Sequence, residues 1–247
     1  MRISHIAAVL AVCAGFAGAT QESSASARVF DYVTVRANDR SGRKVESVRL
    51  QWNEKENGAD CSYVSLREAG SEFVSISLGE SNRVLFARMS RMNSAGRTVA
   101  GARIIFRGNT VHSEQFRPDG RVRSRSRELD ERPLVADAGL LFWLREFPFG
   151  TDGELSVMMA AFTGHFVTMR FRDEGPETVT VPAGSFECRR VVGVVDLVVT
   201  EIKTTYWLTA AEPHFLVKFE GRRGIFIAPV YTTSLVSTNC VSVAGLD

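Results

Sequence analysis

The chain has 247 residues, 45% of them hydrophobic and 23% charged, with 30 Lys and Arg against 28 Asp and Glu. That composition excludes wholesale disorder, a collagen-like repeat and a multi-pass membrane protein. The near-neutral balance lacks the global charge that drives a protein onto nucleic acid or an anionic membrane, so any electrostatic recognition must be local.

Residues 1–19 read as a cleaved secretory signal. Arg2 gives a positive start, an apolar run extends from Ile6 through Phe16, and Ala17-Gly18-Ala19 offers small residues for cleavage. The alternative is a lipoprotein acylated at Cys13, although Val12 is bulky where a small residue is wanted. Loss of residues 1–19 takes Arg2 and no acid, leaving 29 basic against 28 acidic side chains, or +1. The expected location is therefore the periplasm, and no later stretch reaches the ~18 apolar residues of a membrane span. Residues 20–27 are Ser/Ala-rich and are expected to be a disordered lead-in. Residues 28–247 carry no composition break, linker or repeat and read as a single domain.

From Val29 onward apolar and polar residues alternate with period two, as in Val48-Arg49-Leu50-Gln51-Trp52-Asn53. The alternation recurs at Val74, Ile76 and Leu78, at Val167, Met169 and Phe171, and at Phe215, Val217 and Phe219. Half-buried antiparallel strands give this pattern because successive side chains leave opposite faces of the pleat. Turn signals separate the runs at Asp39 to Gly42, Asn57-Gly58, Gly79 to Asn82, Gly108-Asn109, Pro118-Asp119-Gly120 and Pro182-Ala183-Gly184. The expectation is an all-β protein, one antiparallel meander that curls into a barrel or half-barrel because a long flat meander leaves exposed edges.

One segment differs. Leu140, Trp143, Leu144 and Phe147 recur at helical spacing, Asp137 offers an N-cap and Pro148 a stop. A short amphipathic helix near 137–147 would lay Trp143 and Phe147 on the concave face. It either fills one end of the core or covers a ligand cavity. Trp52, Phe106, Met169, Phe171, Phe215 and Phe219 are the large residues expected to line that interior with them.

Catalytic signals are sparse. After the signal the chain has only His112, His165 and His214. His165 shares strand parity with Val167 and Met169 and reads as a core histidine; His214 follows Pro213 in a turn; His112 lies on a polar strand. There is no Gly-x-Ser-x-Gly elbow, phosphate loop or zinc spacing, so no enzyme activity, cofactor or metal is expected. Three cysteines remain after the signal. Cys188 shares parity with Phe186 and reads as a buried thiol, whereas Cys61 and Cys240 near strand ends are the favoured disulfide pair.

The most unusual feature is Arg121-Val122-Arg123-Ser124-Arg125-Ser126-Arg127. Four arginines at spacing two share one face of a strand, a stripe roughly 20 Å long that suits phosphate or carboxylate groups. Glu128, Asp130 and Glu131 could neutralise it, and a self-repelling solvated edge that blocks strand addition is the plainer account.

Thr178-Val179-Thr180-Val181-Pro182-Ala183-Gly184-Ser185-Phe186-Glu187-Cys188-Arg189-Arg190-Val191 resembles the strand, Pro-Ala-Gly turn and strand of the exported bacterial family named domain of unknown function 3108. Thr205-Tyr206-Trp207-Leu208-Thr209 through Pro213 to Phe219 is similar to that family's next block, and Asp137 to Glu146 to its short helix. The likeness covers roughly residues 135–222 and departs from the pattern at His214-Phe215. It implies an envelope protein of Gram-negative type with a curled sheet like lipocalins and lipoprotein carriers, and it brings no catalytic residues. Pro182 would pre-set the turn, Gly184 permit positive φ, and Phe186 and Trp207 anchor neighbouring strands on the core face.

Two functions follow as expectations. The first is a binding protein for an apolar ligand, such as an acyl chain or envelope lipid, held inside the curved sheet. The second is an envelope interaction module that holds a protein or glycan through Arg121, Arg123, Arg125 and Arg127 or a sheet edge.

Overall fold

The computed structural model describes residues 27–240 apart from 40, 81–83, 108–109, 129–133, 137–138, 198–199 and 223–228. The signal, Cys13, Asp130, Glu131 and Asp137 therefore lie outside the described residues, as does most of the lead-in.

The period-two segments all form strands. β1 (Arg28–Arg36), β2 (Lys44–Lys55), β3 (Gly58–Arg67), β4 (Gly70–Leu78), β5 (Val84–Asn93), β6 (Thr98–Arg107), β7 (Thr110–Phe116) and β8 (Val122–Glu128) pair in sequence order. β9 (Leu134–Ala136), β10 (Leu155–Ala160), β11 (Phe166–Val181), β12 (Gly184–Leu197), β13 (Thr200–Thr209), β14 (Leu216–Arg222) and β15 (Val230–Thr238) make a second run. β1 also pairs with β15, so both runs share one 15-stranded sheet, ordered from β8 down to β1 and then from β15 down to β9. Pairing of β8 with β9 would close that order into a ring; instead these two are its edges. The sheet is an open, curled meander.

The expected antiparallel meander holds for fourteen strands, and the departure is β9, which lies parallel to β10. A parallel pair cannot be joined by a tight turn; it needs a crossover of a dozen or more residues that runs over a sheet face. Here the crossover carries the one α-helix among the described residues, α1 (Leu140–Trp143), continued by a 3-10 turn over Leu144–Glu146. The helical segment anticipated near 137–147 exists, and its place in the fold follows from the parallel edge.

The core sits on the concave face. Val74, Ala87, Ile104 and Val111 from one half of the sheet and Val157, Phe171, Val191, Leu208, Val217 and Leu235 from the other are fully buried, with Leu144 from the 3-10 turn between them. Packing is tight enough to select residue size. A Cβ at Gly193 would lie 2.4 Å from Met169 Cε and 2.7 Å from Phe171 Cε1, so only glycine lets β11 and β12 carry both large side chains there.

The Pro182-Ala183-Gly184 turn joins β11 to β12 with Gly184 at φ +128°, and its Ala183 N–H donates to Leu235 O at 3.2 Å, tying the hairpin tip to β15. Phe186 is partly buried and meets Phe215 edge-on at 6.0 Å. Trp207 is buried, but Tyr206 beside it stacks inward on Phe219, so Trp207 leaves the other face of β13, where its Nε1 donates to Glu177 and Lys218 covers its ring. His165 is a second correction: β11 starts one residue later, at Phe166, so His165 lies exposed in the preceding turn and strand parity does not reach it. The favoured Cys61–Cys240 bridge is not formed. Cys61, Cys188 and Cys240 are free thiols, and β2 and β1 lie between β3, which carries Cys61, and β15, which Cys240 follows.

Candidate functional site

The concave face gathers all eight of the large residues anticipated for the interior. Trp52, Phe147, Met169, Phe171 and Phe215 are buried, and Phe106, Trp143 and Phe219 pack half-buried against them. α1 bridges the two halves of the sheet: Phe142 lies 5.0 Å from Trp52 of β2, and Trp143 lies 5.4 Å from Phe171 of β11. These side chains fill the interior by meeting one another.

The two ends of this plug are held differently. Its start has Gly139 at the N-cap with no side-chain hydrogen bond. Its exit is clamped: Asp173 accepts from Gly150 N–H at 2.7 Å and Gly175 N–H at 2.9 Å, and it pairs with Arg189. Burial alone would raise the Asp173 pKa, but the Arg189 guanidinium and the two N–H groups outweigh it and hold the carboxyl below its ordinary range. A single helical turn is unstable alone, so α1 depends on its contacts with the sheet.

Beside α1, Arg145 lays its guanidinium 4.0 Å over the Trp52 ring. No salt bridge neutralises Arg145 among the described residues, and burial followed by the charge of Arg28 lowers its pKa. Arg145 Nε and Trp52 Nε1 are both buried without a hydrogen-bond partner. Cys61, opposite Trp52 in the β2–β3 register, is no counter-charge, because burial pushes its thiol pKa far upward and keeps it neutral.

The opposite end of the concave face is polar. Glu46 accepts from Arg67 Nε at 2.7 Å and from Ser65, while Glu72 accepts from Tyr63 at 2.6 Å and from Arg91 at 2.6 Å. Glu46 and Glu72 are the buried carboxylates of this ladder, and each is matched by an arginine, so neither stands as a free general base. Among the described residues no group of three His, Cys, Asp or Glu side chains could hold a metal ion.

The arginine stripe occupies edge strand β8, as its polarity implies, but on the inner face. Arg127, Arg125 and Arg123 stand opposite Val111, Ser113 and Gln115 in the β7–β8 register, and Val111 and Ser113 are buried in the concave face. An edge strand can carry charge inward because the open seam leaves it wet. Arg125 reaches across that seam to His165 Nδ1 at 3.0 Å and Gly164 O at 3.4 Å, and Gln115 donates to Phe162 O at 3.0 Å. Arg121 meets only Asp119, at 3.5 Å, while Arg123 and Arg127 are exposed with no carboxylate partner among the described residues. Sequence reasoning missed two features: the inward direction of the stripe and the pairing of Arg145 with Trp52.

Two cavities lie away from the apolar wall. One of about 440 Å³ is bounded by Arg36, Arg43, Lys44, Arg67 and Glu68 at the β1–β2 and β3–β4 turns. The other, about 540 Å³, lies over Glu201, Lys203, Glu220 and Arg222. Both are polar. No described helix is long and apolar enough to cross a membrane.

No family model matches the chain, and no curated protein matches it significantly. Three solved structures show a weak likeness to it. A lipoprotein candidate from Parabacteroides distasonis is 13% identical, covers 86% of this chain and 95% of its own, and has a TM-score of 0.34. An exported-protein candidate with a YmcC-like fold from Bacteroides fragilis is 12% identical, covers 85% and 94%, and scores 0.35. The hypothetical lipoprotein YmcC from Escherichia coli is 10% identical, covers 96% and 97%, and scores 0.30. Likenesses at this level carry no inference about what the chain binds or does, and the resemblance over residues 135–222 remains one of motifs.

Proposed function

We propose that the protein is an exported, periplasmic, non-enzymatic binding protein for an apolar chain, such as the acyl chain of an envelope lipid. The observation that carries this reading is a single-turn plug, uncapped at its start and clamped at its exit, laid over the aromatic wall of an unclosed sheet. Such a plug pivots about the Asp173 clamp. Lifting α1 between β9 and that clamp withdraws Phe142 from Trp52, and a flexible hydrocarbon takes its place with little net loss of apolar burial. Native mass spectrometry of the mature protein, followed by solvent extraction, tests this. The expected result is one lipid per chain, or uptake of added acyl chain with a change in Trp52 and Trp143 fluorescence. A protein that carries no lipid and accepts none overturns the reading.

A second reading has its own support in the exposed, unpaired Arg123 and Arg127 on an edge strand. It makes the seam a docking edge for an acidic envelope partner or glycan. Its mark is capture that weakens with salt and disappears when Arg121, Arg123, Arg125 and Arg127 are replaced by Ser. Unchanged capture by the folded variant removes the stripe from consideration.

A further inference from the structure

Most inward or half-buried arginines here are compensated. Arg67 and Arg91 are matched by Glu46 and Glu72, Arg189 by Asp173, and Arg170 by Glu154 and Asp196. Arg125 turns instead to His165 and the Gly164 carbonyl at the wet seam, which leaves Arg145. It is half-buried, stacked on an aromatic ring, and bonded to no carboxylate among the described residues. An uncompensated cation removed from water is costly, as is a buried N–H without an acceptor, and both costs meet at one place. Arg145 Nε and Trp52 Nε1 are two such donors on stacked groups. Glu54 and Glu146 help to sustain the charge on Arg145 without forming an ion pair with it; Glu54 is itself engaged by Arg28 at 3.0 Å, and the Cys61 thiol is neutral. What satisfies a cation and two N–H donors together is an anion with several lone pairs, a carboxylate or a phosphate.

The surroundings define the rest of that molecule. The Trp52 ring borders the guanidinium and meets Phe142 in turn, so whatever places its anionic oxygens at Arg145 lays its remainder on apolar surface. Arg145 follows α1 in the 3-10 turn, on the side of the Asp173 clamp, so it keeps its place while α1 lifts. We infer that Arg145 and Trp52 form a receptor for the anionic head of a single-chain amphiphile, with its hydrocarbon along Trp52. This rests on the proposed binding of an apolar chain and gives that ligand its charge. A fatty acid and a lysophospholipid or alkyl phosphate share the required chemistry.

The test titrates the mature protein with dodecanoate, dodecyl phosphate and dodecanol below their aggregation thresholds, following tryptophan fluorescence and calorimetric heat. Either charged amphiphile should bind at least about tenfold more tightly than the alcohol, the expected gain from a charge-assisted hydrogen-bond pair. The tighter of the two identifies carboxylate or phosphate as the natural head. Arg145→Gln should abolish that preference, bringing the charged amphiphiles to the affinity that the same variant has for dodecanol. Trp52→Phe, which keeps a smaller aromatic face and removes one donor, should reduce the preference without abolishing it, and it provides the test if Arg145→Gln does not fold. Equal affinity for all three ligands in the wild type, or a preference that survives Arg145→Gln, overturns the head-group inference and leaves apolar-chain binding standing. Failure of all three to bind overturns both.

Discussion

Phe171→Ala is expected to lower the free energy of unfolding by about 3–5 kcal/mol, the range for an aromatic removed from a well-packed core. Phe171 has no solvent exposure, lies 5.4 Å from Trp143 and 6.1 Å from Tyr206, and presses on the site where Gly193 has no side chain. Its loss leaves a hole that the rigid β11–β12 pair cannot close. It also removes the surface on which Trp143 rests, so the plug should loosen along with the core. Urea unfolding followed by tryptophan fluorescence measures the loss, and near-ultraviolet circular dichroism reports the Trp143 environment. A loss below about 1 kcal/mol would be that of a site able to collapse, and would contradict the packing described.

Asp173→Ala should cost a comparable amount, about 3–5 kcal/mol, because it leaves the Arg189 charge half-buried without its partner. The same change orphans the Gly175 N–H within β11 and the Gly150 N–H, whose bond holds the segment after α1. A pH signature separates this clamp from ordinary packing. The Asp173 pKa is lower in the folded protein than its value of about 3.9 in an unfolded chain. A depressed carboxyl stabilises fully above its unfolded pKa and loses that contribution as pH falls through its folded pKa. The stability gap between wild type and Asp173→Asn is therefore expected to be widest near pH 6 and to narrow steadily below pH 4, read by urea unfolding at each pH. A gap independent of pH would assign the effect to packing alone.

Much of the architecture is legible in the chain because alternation reports local geometry. Val74, Ile76 and Leu78 are all buried on one face of β4, as their spacing demands, and the helical recurrence of Leu140, Leu144 and Phe147 marks a segment that packs where it should. Alternation is blind to direction when both faces are polar. In β8 the serines and arginines differ in polarity too little to say which side turns inward, and it is the register with Val111 and Ser113 that decides it. His165 shows the complementary error, since parity was carried one residue past the point where the strand begins. The polar ladder is illegible for another reason: Glu46 faces Arg67 and Glu72 faces Arg91 only once β2–β3 and β4–β5 are in register. Arg145 and Trp52 belong to elements far apart in the chain, and no local pattern announces that a guanidinium will lie on that indole.

The pairing of β1 with β15 has a consequence for how the molecule comes into being. Among the described strands the first has its second neighbour in the last, so the middle of the sheet is sealed only once β15 has been made. Contacts of such long sequence separation make folding slow and leave a partly made chain with an unsatisfied margin at its oldest strand. Until β15 arrives, that margin needs a chaperone or an extended, unfolded waiting state to keep it from joining a neighbour.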